Sequence, residues 1–349
     1  MKRFVIITDK RSAGTLQTLR SRLPWPHDTP LRILAIDGGG IKGILPAQIL
    51  AEIEQDLLGG EPIASRFDVI AGTSTGGIIA LGLGLGLSAS EILKLYLERG
   101  GLIFPNANSK MGKVKQFVST RYDATVLEQE LQNLFGERVF GEAKTRLVIP
   151  AFNHDTEPHI FKTDHHPDFK KDCRDRAVTV ARATSAALSY LDGLEDAGRW
   201  FWDGGLFANN PVMMALVDMM TCYDLPRENI QIVLLGCAAG RPKLTKKHLS
   251  SGKWGWRSAV HVTSALQSHD ALGQAGLLIG RQNLIRIDAE LREPIELDDY
   301  DKAARDLPAI GERLFSENAE TLRPFVGTPV APRDRFYSDA STKIQSSEV

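Results

Sequence analysis

Hydrophobic positions along the chain follow two different spacings. Short apolar runs closed by acidic or glycine residues read as buried strands: Arg32–Ile36, which ends in Asp37 and three glycines, and Phe67–Ala71, which ends in a Gly-rich turn. Similar runs predict strands over Arg146–Ala151, His159–Thr163, Arg199–Trp202, Ile230–Leu235 and Asn283–Ile287. Between them the spacing becomes helical. Ile44 to Leu57 runs to a stop at Gly59-Gly60, a capping box over Ser88–Glu91 starts Ile92–Glu98, and Asp123 caps a helix from there to Phe135 and Gly136. Further helices are expected over Asp175–Ala187, Pro211–Thr221, Arg257–Leu278 and Tyr300–Glu320. Strands alternating with helices predict an α/β sandwich around a mainly parallel sheet. No repeat or low-complexity linker divides the chain. One main domain over 31–325 is expected, with 1–30 (punctuated by Pro24, Pro26 and Pro30) as an N-terminal extension and 326–349 as a polar tail.

Composition narrows the class without naming a chemistry. A chain of 349 residues buries about three-quarters of its unfolded surface, so it needs neither disulfides nor metals to hold a core. Lys plus Arg total 42 against 43 for Asp plus Glu, a net charge of −1 that argues against bulk attraction to a nucleic-acid polymer or an anionic membrane. Cys173, Cys222 and Cys237 are too widely spaced for a disulfide framework or a zinc motif, and suit a reducing cytosol. The apolar run Phe4–Ile7 is too short for a signal peptide. The run Ile78–Leu87, broken by glycines, falls short of the ~20 residues a membrane span needs. A cytoplasmic protein is expected.

Three glycine-marked turns carry the candidate chemistry. The first, Asp37-Gly38-Gly39-Gly40-Ile41-Lys42-Gly43, lies between strand and helix and spells GxGxxG. It reads as a plain tight turn, as a cradle of backbone N–H groups for an oxyanion or phosphate, or as a dinucleotide turn; Glu61, the nearest acidic residue for a ribose, does not follow a second strand. The second, Gly72-Thr73-Ser74-Thr75-Gly76, is GxSxG in the strand–turn–helix context of a nucleophile elbow, which would expose the Ser74 hydroxyl. The third, Asp203-Gly204-Gly205, is by itself an ordinary turn signal. A serine needs a base to take its proton. After Asp203 the histidines are His248 in a basic run and His261 and His269 inside a predicted helix, none at a strand end. His27, His154 and His159 show no metal-ligand spacing, and Asp164-His165-His166 reads as a polar loop before it reads as a metal site. The economical arrangement is a dyad in which Asp203 is the general base for Ser74 and the Gly39 and Gly40 amides stabilise the oxyanion.

With these turns in this order the chain resembles the patatin-like phospholipases, whose marks are DGGGxxG, GxSxG and a later DGG or DGA. Ala181–Ala187 resembles the family's segment between nucleophile and aspartate, and Asp203–Pro211 its aspartate motif with the Asn-Asn-Pro extension; Leu188 stands where many relatives carry Pro. The resemblance covers roughly 31–220, the motif-bearing core, with C-terminal elements over 221–325. It implies a three-layer α/β/α sandwich and an acyl hydrolase that requires no cofactor or metal. Ser74 would be its nucleophile, Asp203 its proton acceptor and Gly38-Gly39-Gly40 its oxyanion hole, with Gly43, Gly72, Gly76, Gly204 and Gly205 as motif glycines. The substrate class implies peripheral contact with the inner membrane. Lys42 reads as a neighbour of the lipid phosphate or as a surface lysine, and Ile78–Leu87 as core or acyl groove. Arg281–Asp288, Ile295–Tyr300 and Leu307-Pro308 resemble a narrower group, bacterial patatin phospholipases of cyclic-oligonucleotide anti-phage signalling (CBASS). That implies activation by a cyclic dinucleotide such as cyclic GMP–AMP, at residues the sequence does not assign, and leaves a homo-oligomer open.

Overall fold

The computed structural model describes residues 20–105, 120–238 and 259–338. The expectations for 1–19, for the basic run with His248 and for 339–349 lie outside the described residues. In chain order the elements are β1 (Leu23–Pro24), β2 (Leu31–Ile36), α1 (Ile44–Glu52), β3 (Val69–Gly72), α2 (Thr75–Gly84), α3 (Ala89–Lys94), α4 (Gly100–Ile103) and α5 (Ala124–Phe135). There follow β4 (Arg146–Asn153), β5 (Pro158–Lys162), α6 (Ala177–Thr184), β6 (Leu194–Asp196), β7 (Arg199–Asp203), α7 (Gly205–Ala208) and α8 (Val212–Cys222). The last are β8 (Tyr223–Asp224), β9 (Ile230–Leu235), α9 (Ala259–Ile279), β10 (Leu284–Ile287) and α10 (Tyr300–Val326).

The main sheet runs β10-β9-β2-β3-β4-β7-β6, with β5 folded back on β4. Strands β10 to β4 are parallel, and β5, β7 and β6 enter antiparallel. A parallel strand is covered on both faces, so it is apolar at nearly every position. β2 shows this: Leu31, Ile33 and Ala35 pack with Leu216, Met219 and Ala275 from α8 and α9. Leu34 and Ile36 pack on the other face, which α1, α2, α3, α5, α6 and α10 cover. The α/β/α sandwich is therefore the observed architecture. Register then places the chemistry: Ile36 pairs with Gly72, so the first two glycine turns leave the sheet side by side. Ala151 of β4 pairs with Asp203, which brings the third to the same end.

Several expectations change. The helix foreseen over Asp175–Ala187 stops at Thr184, because the Ala186 carbonyl accepts the Asp203 N–H and cannot stay helical. The last helix runs on to Val326 through Pro308 and Pro324, held by Ala303, Leu307, Phe315 and Leu322 on its buried face. The end of the chain, expected to be a polar tail, is docked as far as Ser338. Arg333 is buried and donates to the Gly141 and Ala143 carbonyls and to Asp164, which also takes the Tyr337 and Ser338 N–H groups. Residues 20–30 likewise lie on the domain: β1 pairs with β8 and Trp25 meets Tyr223 edge-on at 5.2 Å. Asp164, His165 and His166 are buried, not a solvated loop.

Candidate active site

Ser74 sits between β3 and α2 at φ 56°, a left-handed conformation that a side-chain-bearing residue adopts only under constraint. Its neighbours make the turn possible. A Cβ on Gly72 would overlap the Gly76 carbonyl, and one on Gly76 would lie 2.3 Å from the Ile36 carbonyl oxygen. The turn is also tied down from outside. The Ser74 N–H donates to Thr184 Oγ1 at 3.0 Å, and the same hydroxyl donates to the Pro150 carbonyl at 2.7 Å. Thr73 Oγ1 donates to the Ala208 carbonyl and Thr75 bonds the Tyr96 hydroxyl.

Ser74 Oγ donates to Asp203 Oδ2 at 2.6 Å, across 129 residues of sequence. Asp203 Oδ1 accepts the Gly205 N–H at 2.7 Å. Burial pushes the Asp203 carboxyl up to about 6, against the opposing pull of the Ser74 and Gly205 hydrogen bonds and of the Arg182 charge. Arg182 is itself buried and held by Glu128 and the Asp192 carbonyl. The arrangement is a buried carboxylate with raised proton affinity, aimed at a hydroxyl on a strained turn.

The three glycines of the first turn differ in what their amides do. Gly38 N–H is committed to the Asn209 carbonyl at 2.9 Å, which corrects its expected place among the oxyanion donors. Gly39 and Gly40 line the cavity beside Ser74, and their N–H groups have no acceptor among the described residues. Gly40 has φ 59° and packs its Cα against the Leu297 carbonyl, which also accepts the Ile41 N–H. Lys42 is neither exposed nor beside the cavity. It is buried near Cys237, Glu296 and Asp288, and burial lowers its pKa. Asp37 lies behind the turn, bonded to Arg286 and Ser268.

Ser74 and Asp203 open into a cavity of about 590 Å³ whose walls are largely apolar, with Ile78, Leu95, Ile103, Phe104 and Leu127 from the helices of one layer. Only Ile78 of the Ile78–Leu87 run reaches it; Ile79, Leu81 and Leu83 belong to the core. No histidine among the described residues lines this cavity, and His269 is on the surface. His165, Asp218 and Cys222 do converge elsewhere, with ligand atoms within 4.8 Å of one another. There Lys162 already neutralises Asp218, and burial lowers the His165 pKa to about 4. The residues that sequence reasoning passed over are Thr184, Asn209 and Leu297. The first two lie in the segments of family resemblance, but nothing local marks their partners.

A buried Ser–Asp pair beside a largely apolar cavity on an α/β/α sandwich fits a lipid-hydrolysing esterase, the class its family places it in. The family model for patatin-like phospholipases matches residues 34–216, and the chain belongs to that family. It is 32% identical over 348 residues to a cGAMP-activated phospholipase of Escherichia coli (strain TW11681), spanning 90% of this chain and 97% of the relative. It is 38% identical to a cGAMP-activated phospholipase of Pseudomonas aeruginosa (strain BWHPSA011 / Pa011), over 68% of this chain and 72% of that one. A third, from Vibrio cholerae serotype O1 (strain ATCC 39315 / El Tor Inaba N16961), is 32% identical over 82% and 91% of the two chains. Among the described residues no helix is long and apolar enough to cross a membrane.

Proposed function

We propose that this protein hydrolyses ester-linked acyl chains of membrane glycerophospholipids with a Ser74–Asp203 dyad, and that a cyclic dinucleotide of the cGAMP type switches it on as an effector of bacterial antiviral defence. The observation that carries the chemistry is the 2.6 Å hydrogen bond from Ser74 Oγ to a carboxylate at the end of a largely apolar cavity. As Oγ attacks the ester carbonyl, its proton passes to Asp203, and the new oxyanion lies toward the Gly39 and Gly40 N–H groups. Collapse breaks the bond to the lysophospholipid alkoxide, which takes the proton back from Asp203. Water then gives its proton to Asp203 and attacks the acyl-enzyme, releasing the fatty acid and restoring Ser74. The remaining motif glycines, Gly43, Gly72, Gly76, Gly204 and Gly205, shape the turns that hold these groups.

Activation by the nucleotide is supported by the names of three relatives from different bacteria. They weigh against a constitutive lipase. The reading places the enzyme in the cytoplasm, meeting the inner membrane peripherally. A liposome assay with and without a panel of cyclic dinucleotides tests it. Fatty-acid release should depend on one of them and vanish in S74A. High activity without any nucleotide, unchanged by all of them, would leave a constitutive enzyme, and an active S74A would rule out Ser74 as the nucleophile.

A further inference from the structure

Most polar groups around the dyad already have partners. Ser74 donates to Asp203, the second Asp203 oxygen takes an amide, and the hydroxyls of Thr73, Thr75 and Thr184 are each hydrogen-bonded. The Asn209 side chain is different. It is 9% exposed, it lines the cavity, and its amide has no hydrogen-bond partner among the described residues. Its polar atoms open on the cavity and are not sealed from solvent, and a donor left uncommitted at the edge of a reacting pair points to a group that arrives with the substrate.

The Asn209 backbone, by contrast, is anchored. Its carbonyl takes the Gly38 N–H at 2.9 Å, the Ala208 carbonyl before it takes Thr73 Oγ1 at 2.6 Å, and the Asn210 N–H after it donates to Gln267 at 2.9 Å. Two of these bonds tie it to the turns that carry the oxyanion amides and the nucleophile. The position of the amide follows from its neighbours. A Cβ on Gly38 would lie 2.7 Å from Asn209 Oδ1 and 3.4 Å from Ser74 Cβ. A Cβ on Gly205 would lie 3.4 Å from the same oxygen and 3.0 Å from Asp203 Oδ1. The amide therefore stands over Gly38, next to the dyad and one residue from the free Gly39 N–H, on a backbone that cannot drift. Rotation about its last side-chain bond exchanges carbonyl and NH2, so either can face the cavity.

We propose that Asn209 is a further catalytic residue: its amide NH2 donates to the ester carbonyl oxygen as that oxygen becomes the tetrahedral oxyanion, a third donor beside the Gly39 and Gly40 N–H groups. The proposal rests on the reading of Ser74 as nucleophile. Donors fixed before the reaction stabilise developing charge without having to reorganise, and the loss of one costs about 10²–10³ in rate. With two backbone donors retained, N209A should lower kcat about 10- to 100-fold.

The test uses the full chain with cyclic GMP–AMP present, on a short soluble ester (p-nitrophenyl butyrate) and on phosphatidylglycerol vesicles. N209A should lower kcat on both substrates alike, with KM within about twofold, the melting temperature near that of the parent and the acidic limb of the pH profile in place. N209L, which keeps roughly the size of the side chain and lacks the donor without adding a charge beside Asp203, should show the same loss, and decides the matter if N209A does not fold. Full kcat in either folded variant on the short ester would overturn the proposal. So would a raised KM confined to vesicles, which marks a head-group contact, or a displaced acidic limb, which marks action through Asp203. An S74A variant assayed alongside separates the two readings: if it hydrolyses the esters, it is the nucleophile that has been misassigned.

Discussion

Ser74 holds its left-handed turn because three different parts of the chain press on it: Gly76 closing against the Ile36 carbonyl, Thr184 taking its N–H, and Asp203 taking its hydroxyl. In the proposed mechanism Asp203 is the group whose state decides activity. Burial raises its folded-state pKa to about 6, so as base it gains its charge only as pH rises through that value. We expect kcat/KM to rise tenfold per pH unit below about 6 and to level off above it, and a D203N variant to have negligible activity across the whole range. The same shift acts on stability with a definite sign. The folded state binds the proton more tightly than the unfolded one, so stability is fullest below the unfolded carboxylate value and falls as pH rises from there through about 6. D203N should therefore melt no lower than the parent at mildly alkaline pH, and a lower melting temperature there would show that the carboxylate is not under strain.

Strands and helices set the separation between Ser74 and Asp203. Ser74 follows β3 and Asp203 ends β7, with β4 between the two strands in the sheet. The end of α6 spans that gap. Thr184 Oγ1 joins the Ser74 N–H to the Pro150 carbonyl on β4, and the Ala186 carbonyl takes the Asp203 N–H. In the proposed mechanism Thr184 is thus a positioning residue, acting through the Ser74 backbone. T184V keeps the shape and removes both bonds. It should lower kcat about tenfold with little change in KM, since misplacing a reacting group by a fraction of an ångström is enough, and T184S should restore most of the rate. Equal activity in T184V and parent would show that β4 and the elbow hold Ser74 without it. The elements themselves were legible from apolar periodicity, because buried strands such as Leu31–Ile36 are apolar almost throughout and are followed by glycine turns. The early stop of α6 was not legible. It depends on a carbonyl needed by a strand that arrives later in the chain.

At the level of the whole molecule, residues 327–338 pack onto the domain in place of trailing from it. Their anchor is Asp164, fully buried. Burial would raise its pKa, but the N–H of Tyr337, the Arg333 guanidinium and Ser338 outweigh that and hold it below the usual carboxylate range. This contribution to stability is present above the unfolded carboxylate pKa and is lost as pH falls through the depressed folded value. R333A leaves the Asp164 charge buried without its cation, and should destabilise the fold by about 3–5 kcal/mol, read as a lower denaturation midpoint. R333A combined with D164N should recover part of that loss. A midpoint unchanged by R333A would mean that the strap does not support the domain. Composition could not foresee this, since a stretch of Pro, Arg, Asp and Ser has the look of solvated chain until a buried carboxylate is placed beneath it.

By itself the sequence determined the layer architecture and marked the serine and aspartate proposed to react. Period and glycine punctuation mark strand–turn–helix junctions, and a serine or aspartate at such a junction is held by local backbone geometry, which local sequence encodes. Only the tertiary structure decided what surrounds them. It assigned the Gly38 amide to Asn209 and left Gly39 and Gly40 without an acceptor among the described residues, placed the Leu297 carbonyl against Gly40, buried Lys42, and set Thr184 between the Ser74 turn and β4. These choices depend on sheet register and on partners a hundred or more residues apart. No short-range pattern records which of two neighbouring amides will find an acceptor, so the proposed oxyanion donors, the Asn209 amide among them, emerge only once the chain has folded.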